Sequence, residues 1–187
     1  MENPEQKSPL ILTAHSRLAG WLMLEYNEQQ KNKIAWETPQ ILTLSAWLKN
    51  AWQETWPEKH LLSGIQSDFL WEKIIHEDRQ IKNLSVLHKK AIAAQAKKAY
   101  ALINEYKIPL LKTNFQETLE TLSFYKWAKC FESHIGQWGA IDNSQLMDYV
   151  CKSIDKGEIK LPYKIHLKGF DKKYPQLHNL LNSMKRK

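Results

Sequence analysis

Cysteine is scarce in this chain. Of 187 residues only Cys130 and Cys151 are cysteines, far apart and without metal-ligand spacing, which excludes the cysteine-based zinc motifs. Both fall in stretches that read as helix, where a reduced core thiol is the expected state, as in a reducing cytoplasm. No apolar run approaches the roughly 18–20 residues needed to span a bilayer. The opening MENPEQKSP is polar and proline-containing, unlike the apolar core of a signal peptide. The expectation is a cytoplasmic protein with no membrane partner. Catalytic patterns are missing too. The histidines His15, His60, His76, His88, His134, His166 and His178 are scattered and form neither H-x-x-x-H nor H-E-x-x-H. There is no G-x-S-x-G, no Ser/His/Asp set and no spaced carboxylate pair, and Glu25, Glu72 and Glu132 read as solvated helix residues. No metal and no cofactor is expected.

What is present is a soluble, globular composition, 43% hydrophobic and 25% charged, of about one domain's length. The net charge of +7 comes mainly from lysine. A basic balance suits an anionic partner, DNA phosphate being the commonest, and suits a lysine-rich solvated surface equally. Eight tryptophans stand out. Trp21, Trp47, Trp52, Trp71 and Trp127 lie in helical-looking stretches and read as packing anchors.

The chain opens with a polar segment over residues 1–8, expected to be disordered. The unalternated apolar run Pro9–Ala14 reads as a buried parallel strand. A helix follows over Arg17–Tyr26, with Leu18, Leu22 and Tyr26 on one face and Ser16 or His15 as its cap. Ile41–Leu44 repeats the strand theme, and Ser45 is expected to cap a helix through Trp47, Leu48 and Trp52. Two strand-to-helix steps in succession are the grammar of an α/β fold with a parallel sheet.

Residues 60–156 read as all helical. Ser63-Gly64-Ile65-Gln66 is a capping box before Phe69–Ile75, and Thr113-Asn114-Phe115-Gln116 is a second, expected to open a helix through Leu119, Leu122 and Trp127. Between them a long helix spans 86–106, with Ala91, Ala94 and Leu102 as its apolar residues and Lys89, Lys90, Lys97 and Lys98 as an outer basic side. Asp142 caps a helix carrying Leu146, Val150 and Ile154 at i+4 spacing. After Gly157 alternation returns over Tyr163–Phe170, and Pro175 sits where a last helix would begin, with Leu177, Leu180 and Leu181 buried. The outline is β-α-β-α, a helical insertion, then β-α. Three strands make a partial sheet.

The natural phosphate site of such a fold is the turn after its first strand. A working P-loop reads G-x-x-x-x-G-K-[ST]. Here the turn reads Thr13-Ala14-His15-Ser16-Arg17-Leu18-Ala19-Gly20, without the glycine pair or the lysine. ATP hydrolysis by the usual route is not expected. His15, Ser16 and Arg17 would meet a phosphate at a helix N-terminus, or His15 and Ser16 merely cap the helix. Asp171, just past the last strand, stands where an active NTPase holds magnesium, but alone and followed by two lysines; a turn or cap role is the expectation. Lys89, Lys90, Lys97 and Lys98 read either as a DNA-backbone contact or as a solvated face.

Four segments carry a family resemblance. Leu12-Thr13-Ala14-His15-Ser16-Arg17-Leu18-Ala19 looks like an "LTAN-RLA-L" opening. Trp36-Glu37-Thr38-Pro39-Gln40-Ile41-Leu42-Thr43-Leu44-Ser45-Ala46-Trp47-Leu48 looks like "W-TPDILPL-AWL". Leu62-Ser63-Gly64-Ile65-Gln66 with Leu70-Trp71-Glu72 looks like "LS-xx-Q-xxx-LWE". Lys168-Gly169-Phe170-Asp171 with Pro175 and Gln176 resembles "L-GFDELTPQQ", a degraded Walker B strand. In this order, over Leu10 to Leu181, they resemble the N-terminal region of the bacterial "probable DNA repair protein" family, which is similar to AddB and RecC. The departures are Tyr174 where the family has Thr, and Lys172-Lys173 in place of an acidic and apolar pair.

The resemblance implies a helix-dominated α/β chain. A RecA-like (P-loop NTPase-like) partial parallel sheet over 1–58 and 158–187 would be interrupted by a large helical subdomain over 59–157. Family members are longer and end in a PD-(D/E)XK nuclease domain, whose residues have no counterpart here to receive them, so the chain corresponds to a truncated form, cut or natural. The implied function is a non-catalytic, helicase-like module of an AddB/RecC-type repair exonuclease, not itself an enzyme. Its implied partners are DNA, the remainder of the repair nuclease, or a motor subunit. The alternative is an assembly fragment without DNA affinity, prone to self-association through an incomplete sheet.

Overall fold

The computed structural model describes residues 9–36 and 38–186. The lead-in over 1–8, Glu37 of the Trp36–Leu48 segment and the terminal Lys187 lie outside the described residues. The fold is a helix-dominated α/β arrangement with a small parallel sheet. The elements run β1 (Leu10–Thr13), α1 (Ser16–Gln29), β2 (Ile41–Thr43), α2 (Leu44–Glu54), β3 (His60–Leu61), α3 (Gly64–Glu77), α4 (Val86–Glu105), α5 (Leu119–Gln137), β4 (Ala140–Ile141), α6 (Asn143–Lys156), β5 (Ile165–Lys168) and α7 (Pro175–Lys185). Among the described residues no helix is long and apolar enough to cross a membrane.

The chain divides into two compact units. The first holds the chain up to Trp56, Val150–Lys173 and the residues from Leu181 onward; the second holds Pro57–Tyr149 and Tyr174–Leu180. These are borders of packing, and one of them falls within α6. The sequence borders at 58/59 and 157/158 mark where strand-type patterning stops and resumes.

In the first unit the sheet order is β2-β1-β5, all parallel. Ile11 is opposite Ile41 and His166, and Thr13 is opposite Thr43 and Lys168. Leu10, Leu12 and Thr13 of the central strand are buried, as expected of an unalternated run covered on both faces. Leu44, Trp47, Leu48, Ala51 and Trp52 of α2 bury with them, as do Val150, Cys151 and Ile154. On α1, Leu18, Leu22 and Tyr26 are half-buried. Trp21, read as an anchor, is 57% exposed: it sits one position off that narrow stripe, and α1 has no buried residue at all.

The second unit packs around aromatic rings. Trp71 stacks on Phe131 with centroids 4.5 Å apart, and Tyr100 meets Phe131 edge-on at 5.2 Å. Leu70, Ile75, Ala96 and Ala128 fill the space around them. Such pairs contribute roughly 0.5–1.5 kcal/mol beyond burial.

Several expectations need correction here. Residues 60–156 are not all helical: β3 and β4 pair in parallel, His60 opposite Ala140 and Leu61 opposite Ile141. Two-residue strands are too short to carry an alternation. The second capping box is also misplaced. Lys112–Phe115 forms a 3-10 turn, with Phe115 buried, and α5 begins at Leu119 with Thr118 and Thr121 bonding reciprocally. On α4 the buried face is Ala93, Ala96, Tyr100 and Ile103, whereas Ala91, Ala94 and Leu102 are exposed. Because alanine is indifferent to burial, the register had to come from Tyr100. β2 stops at Thr43, and Thr43 rather than Ser45 caps α2, its Oγ1 accepting from the Ala46 amide at 3.1 Å.

Candidate nucleic-acid interface

Parallel strands that each feed a helix deliver their loops to the sheet's carboxyl end, where helix N-termini expose unbonded N–H groups. In the first unit this end gathers the turn after β1 and the segment after β5. His15 is the residue that caps α1: its Nδ1 accepts from the Leu18 amide at 3.2 Å. Ser16 is therefore the first helical residue. Ser16 and Arg17 are exposed, and Arg17 makes no ion pair among the described residues.

Beside this turn, the Ala14 amide donates to the Lys168 carbonyl at 3.1 Å. Gly169 then turns with φ +76, and a Cβ there would stand 2.6 Å from Leu18 Cδ2. Glycine adopts this backbone without strain, and any larger residue would have to displace the end of the Leu18 side chain where the β5 exit lies against the first turn of α1. Lys168, Asp171, Lys172 and Lys173 follow on the exposed surface, and none of these has an ion pair among the described residues. Asp171 also makes no hydrogen bond there, so neither a cap nor a turn bond is formed by it. Arg17 and Lys168 thus stand at the N-terminal end of α1, and the exposed segment that leaves β5 carries Lys172 and Lys173 against the single carboxylate of Asp171, a basic balance suited to an oxyanion.

The second unit handles its lysines differently. Lys89, expected on the outer side of α4, is 7% exposed and donates from Nζ to the Lys82 carbonyl at 3.3 Å. Lys97 pairs with Asp68 at 2.7 Å, and Lys90 lies 3.9 Å from Glu72. Lys98 is exposed. At about 100° per residue, Lys89 and Lys98 lie half a turn apart, on opposite faces of the helix. The structure does not bring the four together as one surface.

Other chemistry-bearing groups of this unit are internally engaged. Asp142 is 5% exposed. Its carboxylate accepts from Ser67 Oγ at 2.9 Å, from the Ser144 amide at 3.0 Å and from Ser144 Oγ at 2.7 Å, while its own N–H donates to Gln145 Oε1 at 3.1 Å. It caps α6 as expected and adds a reciprocal box. Gln145 Nε2 continues to the Tyr100 hydroxyl at 3.1 Å, and burial pushes that phenol well above its ordinary range. Burial likewise raises the half-buried Cys130 thiol, with Glu77 adding to it, which disfavours a nucleophilic thiolate. Among the described residues no group of His, Cys, Asp and Glu could hold a metal ion.

Lys168, Lys172 and Lys173 were not picked out from the sequence as contact residues. Lys172-Lys173 registered as a departure from the family pattern, and Lys168 comes beside Arg17's turn only because β5 pairs with β1. No family model matches this chain, and no curated protein matches it.

Proposed function

We propose that this chain is a helicase-like module of the AddB/RecC type that grips DNA by its phosphates without hydrolysing ATP. One observation carries the reading: at the carboxyl end of the β2-β1-β5 sheet, Arg17 in the first turn of α1 and Lys168 at the end of β5, with Lys172 and Lys173 following it on the exposed chain, make no ion pair among the described residues, whereas on α4 Lys97 is paired with Asp68, Lys90 lies near Glu72 and Lys89 is buried on a carbonyl. A RecA-like ancestry accounts for the parallel order with β1 in the centre and for the position of the turn. In that turn Thr13-Ala14-His15-Ser16-Arg17 offers a cap and a guanidinium in place of a phosphate-cradling glycine loop and its lysine. Such a site binds an anion without the groups that activate a nucleotide. The contacts reach backbone phosphate rather than base edges, so binding is expected to be strongly salt-dependent and weakly sequence-dependent.

The test is fluorescence anisotropy with single-stranded, duplex and forked DNA across a salt series. Binding should weaken as salt rises. Arg17→Ala/Lys172→Ala/Lys173→Ala should reduce the log–log salt slope by about 2–3, at about 0.7–0.9 per phosphate contact. Lys90→Ala/Lys98→Ala should leave it nearly unchanged. Binding that is insensitive to salt, or lost with the second pair rather than the first set, overturns the reading.

A further inference from the structure

The three-stranded sheet has two edges, and they are not alike. In the parallel ladder the Leu10 amide donates to Lys164 O and the Ala14 amide to Lys168 O, so the backbone groups of His166 and Lys168 face β1. The N–H and C=O of Ile165 and Leu167 therefore point to the opposite side of β5. There they have no partner among the described residues, β1 being the one strand paired with β5. The β2 edge is a poor template by contrast. Pro39 has no N–H, the Ile41 amide turns back onto the Pro39 carbonyl at 3.0 Å, and Thr43 leads directly into α2.

We infer that the outer edge of β5 is a docking edge for an extended strand of a partner protein, one that alternates apolar with acidic residues. The unpaired groups at Ile165 and Leu167 would supply four main-chain hydrogen bonds to an added strand. Specificity comes from the two faces of β5. Ile165 and Leu167 lie on one face, both half-buried; Lys164, His166 and Lys168 lie on the other, a run of basic or ionisable groups without a carboxylate. A second copy of this chain is disfavoured as the occupant. In the antiparallel pairing about His166 that would satisfy all four groups, Lys164 of each copy falls opposite Lys168 of the other, and like charges directly opposite destabilise a sheet. Carboxylates at those positions reverse the sign of that interaction. The site does not rest on the DNA reading, although Lys168 borders both surfaces.

The probe is a short synthetic peptide alternating valine and glutamate, with a valine–lysine peptide as control and amide hydrogen exchange of the full chain as readout. The valine–glutamate peptide should slow exchange at Ile165 and Leu167 and leave His166, already bonded to β1, unchanged. The valine–lysine peptide should bind roughly tenfold more weakly, as expected for a few cross-strand charge pairs. In Lys164→Glu/His166→Glu the preference should invert. Arg17→Ala should weaken DNA binding and leave the peptide's protection intact, so the two readings fail separately. Three results overturn the inference: no protection at Ile165 and Leu167 on the wild-type chain, equal binding of both peptides, or protection that appears with rising protein concentration alone. The last assigns the edge to a second copy.

Discussion

Both units pair some of their charges (in the first, Lys31 with Glu28, Lys156 with Glu158 and Arg186 with Asp155), yet the lysines of α4 and the basic groups at the sheet's carboxyl end are used differently. In the second unit polar and charged groups are turned inward or paired: Asp142 is buried among Ser67, Ser144 and Gln145, Lys89 is spent on a carbonyl, and Lys97 is held by Asp68. In the first unit the sheet's carboxyl end carries Arg17, Lys168, Lys172 and Lys173, none of which forms an ion pair among the described residues. A lysine's role is therefore set by the acceptors that packing brings within reach, not by how many lysines stand near it in sequence. The α4 run Lys89–Lys98 has the more lysines, and it is the one in which the fold pairs Lys97, brings Lys90 near Glu72 and buries Lys89.

The sharpest way to break this comparison is at Asp142. Asp142→Ala removes the α6 cap and leaves the Ser67 hydroxyl and the Ser144 amide and hydroxyl without their carboxylate acceptor, while the backbone bond from residue 142 to Gln145 is kept. It should cost about 3 kcal/mol of stability in denaturant unfolding. A loss under about 0.5 kcal/mol would mean the second unit does not depend on its buried polar groups. The next effect should come from Gly169→Ala, which places a Cβ at positive φ against Leu18. We expect a loss of about 1–3 kcal/mol, together with weaker DNA binding as the β5 exit is pushed off the α1 turn. Gly20→Ala is the control: it lies inside α1 with open space around it and should gain roughly 0.5–1 kcal/mol. The smallest effect distinguishes two neighbouring hydroxyls. Thr43→Ala should cost about 1 kcal/mol as the cap of α2, while Ser45→Ala, inside the first turn, should cost only a few tenths. Thermal unfolding of the two variants side by side decides it.

Much of the first unit was legible because its signals are local. An unalternated apolar run gives β1, and a histidine with the right offset caps α1. The capping box of Ser63 and Gln66 and the i+4 row of Leu146, Val150 and Ile154 were legible for the same reason. What failed was non-local. The β3–β4 pair joins residues about 80 positions apart with two residues on each strand, leaving no pattern to read. The burial of Lys89 depends on the Lys82 carbonyl, which reaches it only after the chain has turned through the 3-10 segment at Arg79–Ile81. The candidate interface was half visible: Arg17 could be named from its turn, but Lys168 joins it only through strand pairing, and the need for Gly169 follows from a Leu18 contact that no motif states.

The unlike edges of the sheet also govern what kinds of assembly the chain can enter. A filament grows when each copy offers one edge and accepts another, so that pairing repeats without end. Here Pro39 and the inward-turned Ile41 amide spoil the edge that would have to serve as the second contact. Copies of this chain therefore cannot repeat an edge-to-edge pairing through β2, and the open edge of β5 favours a finite complex over a fibre built of this chain alone.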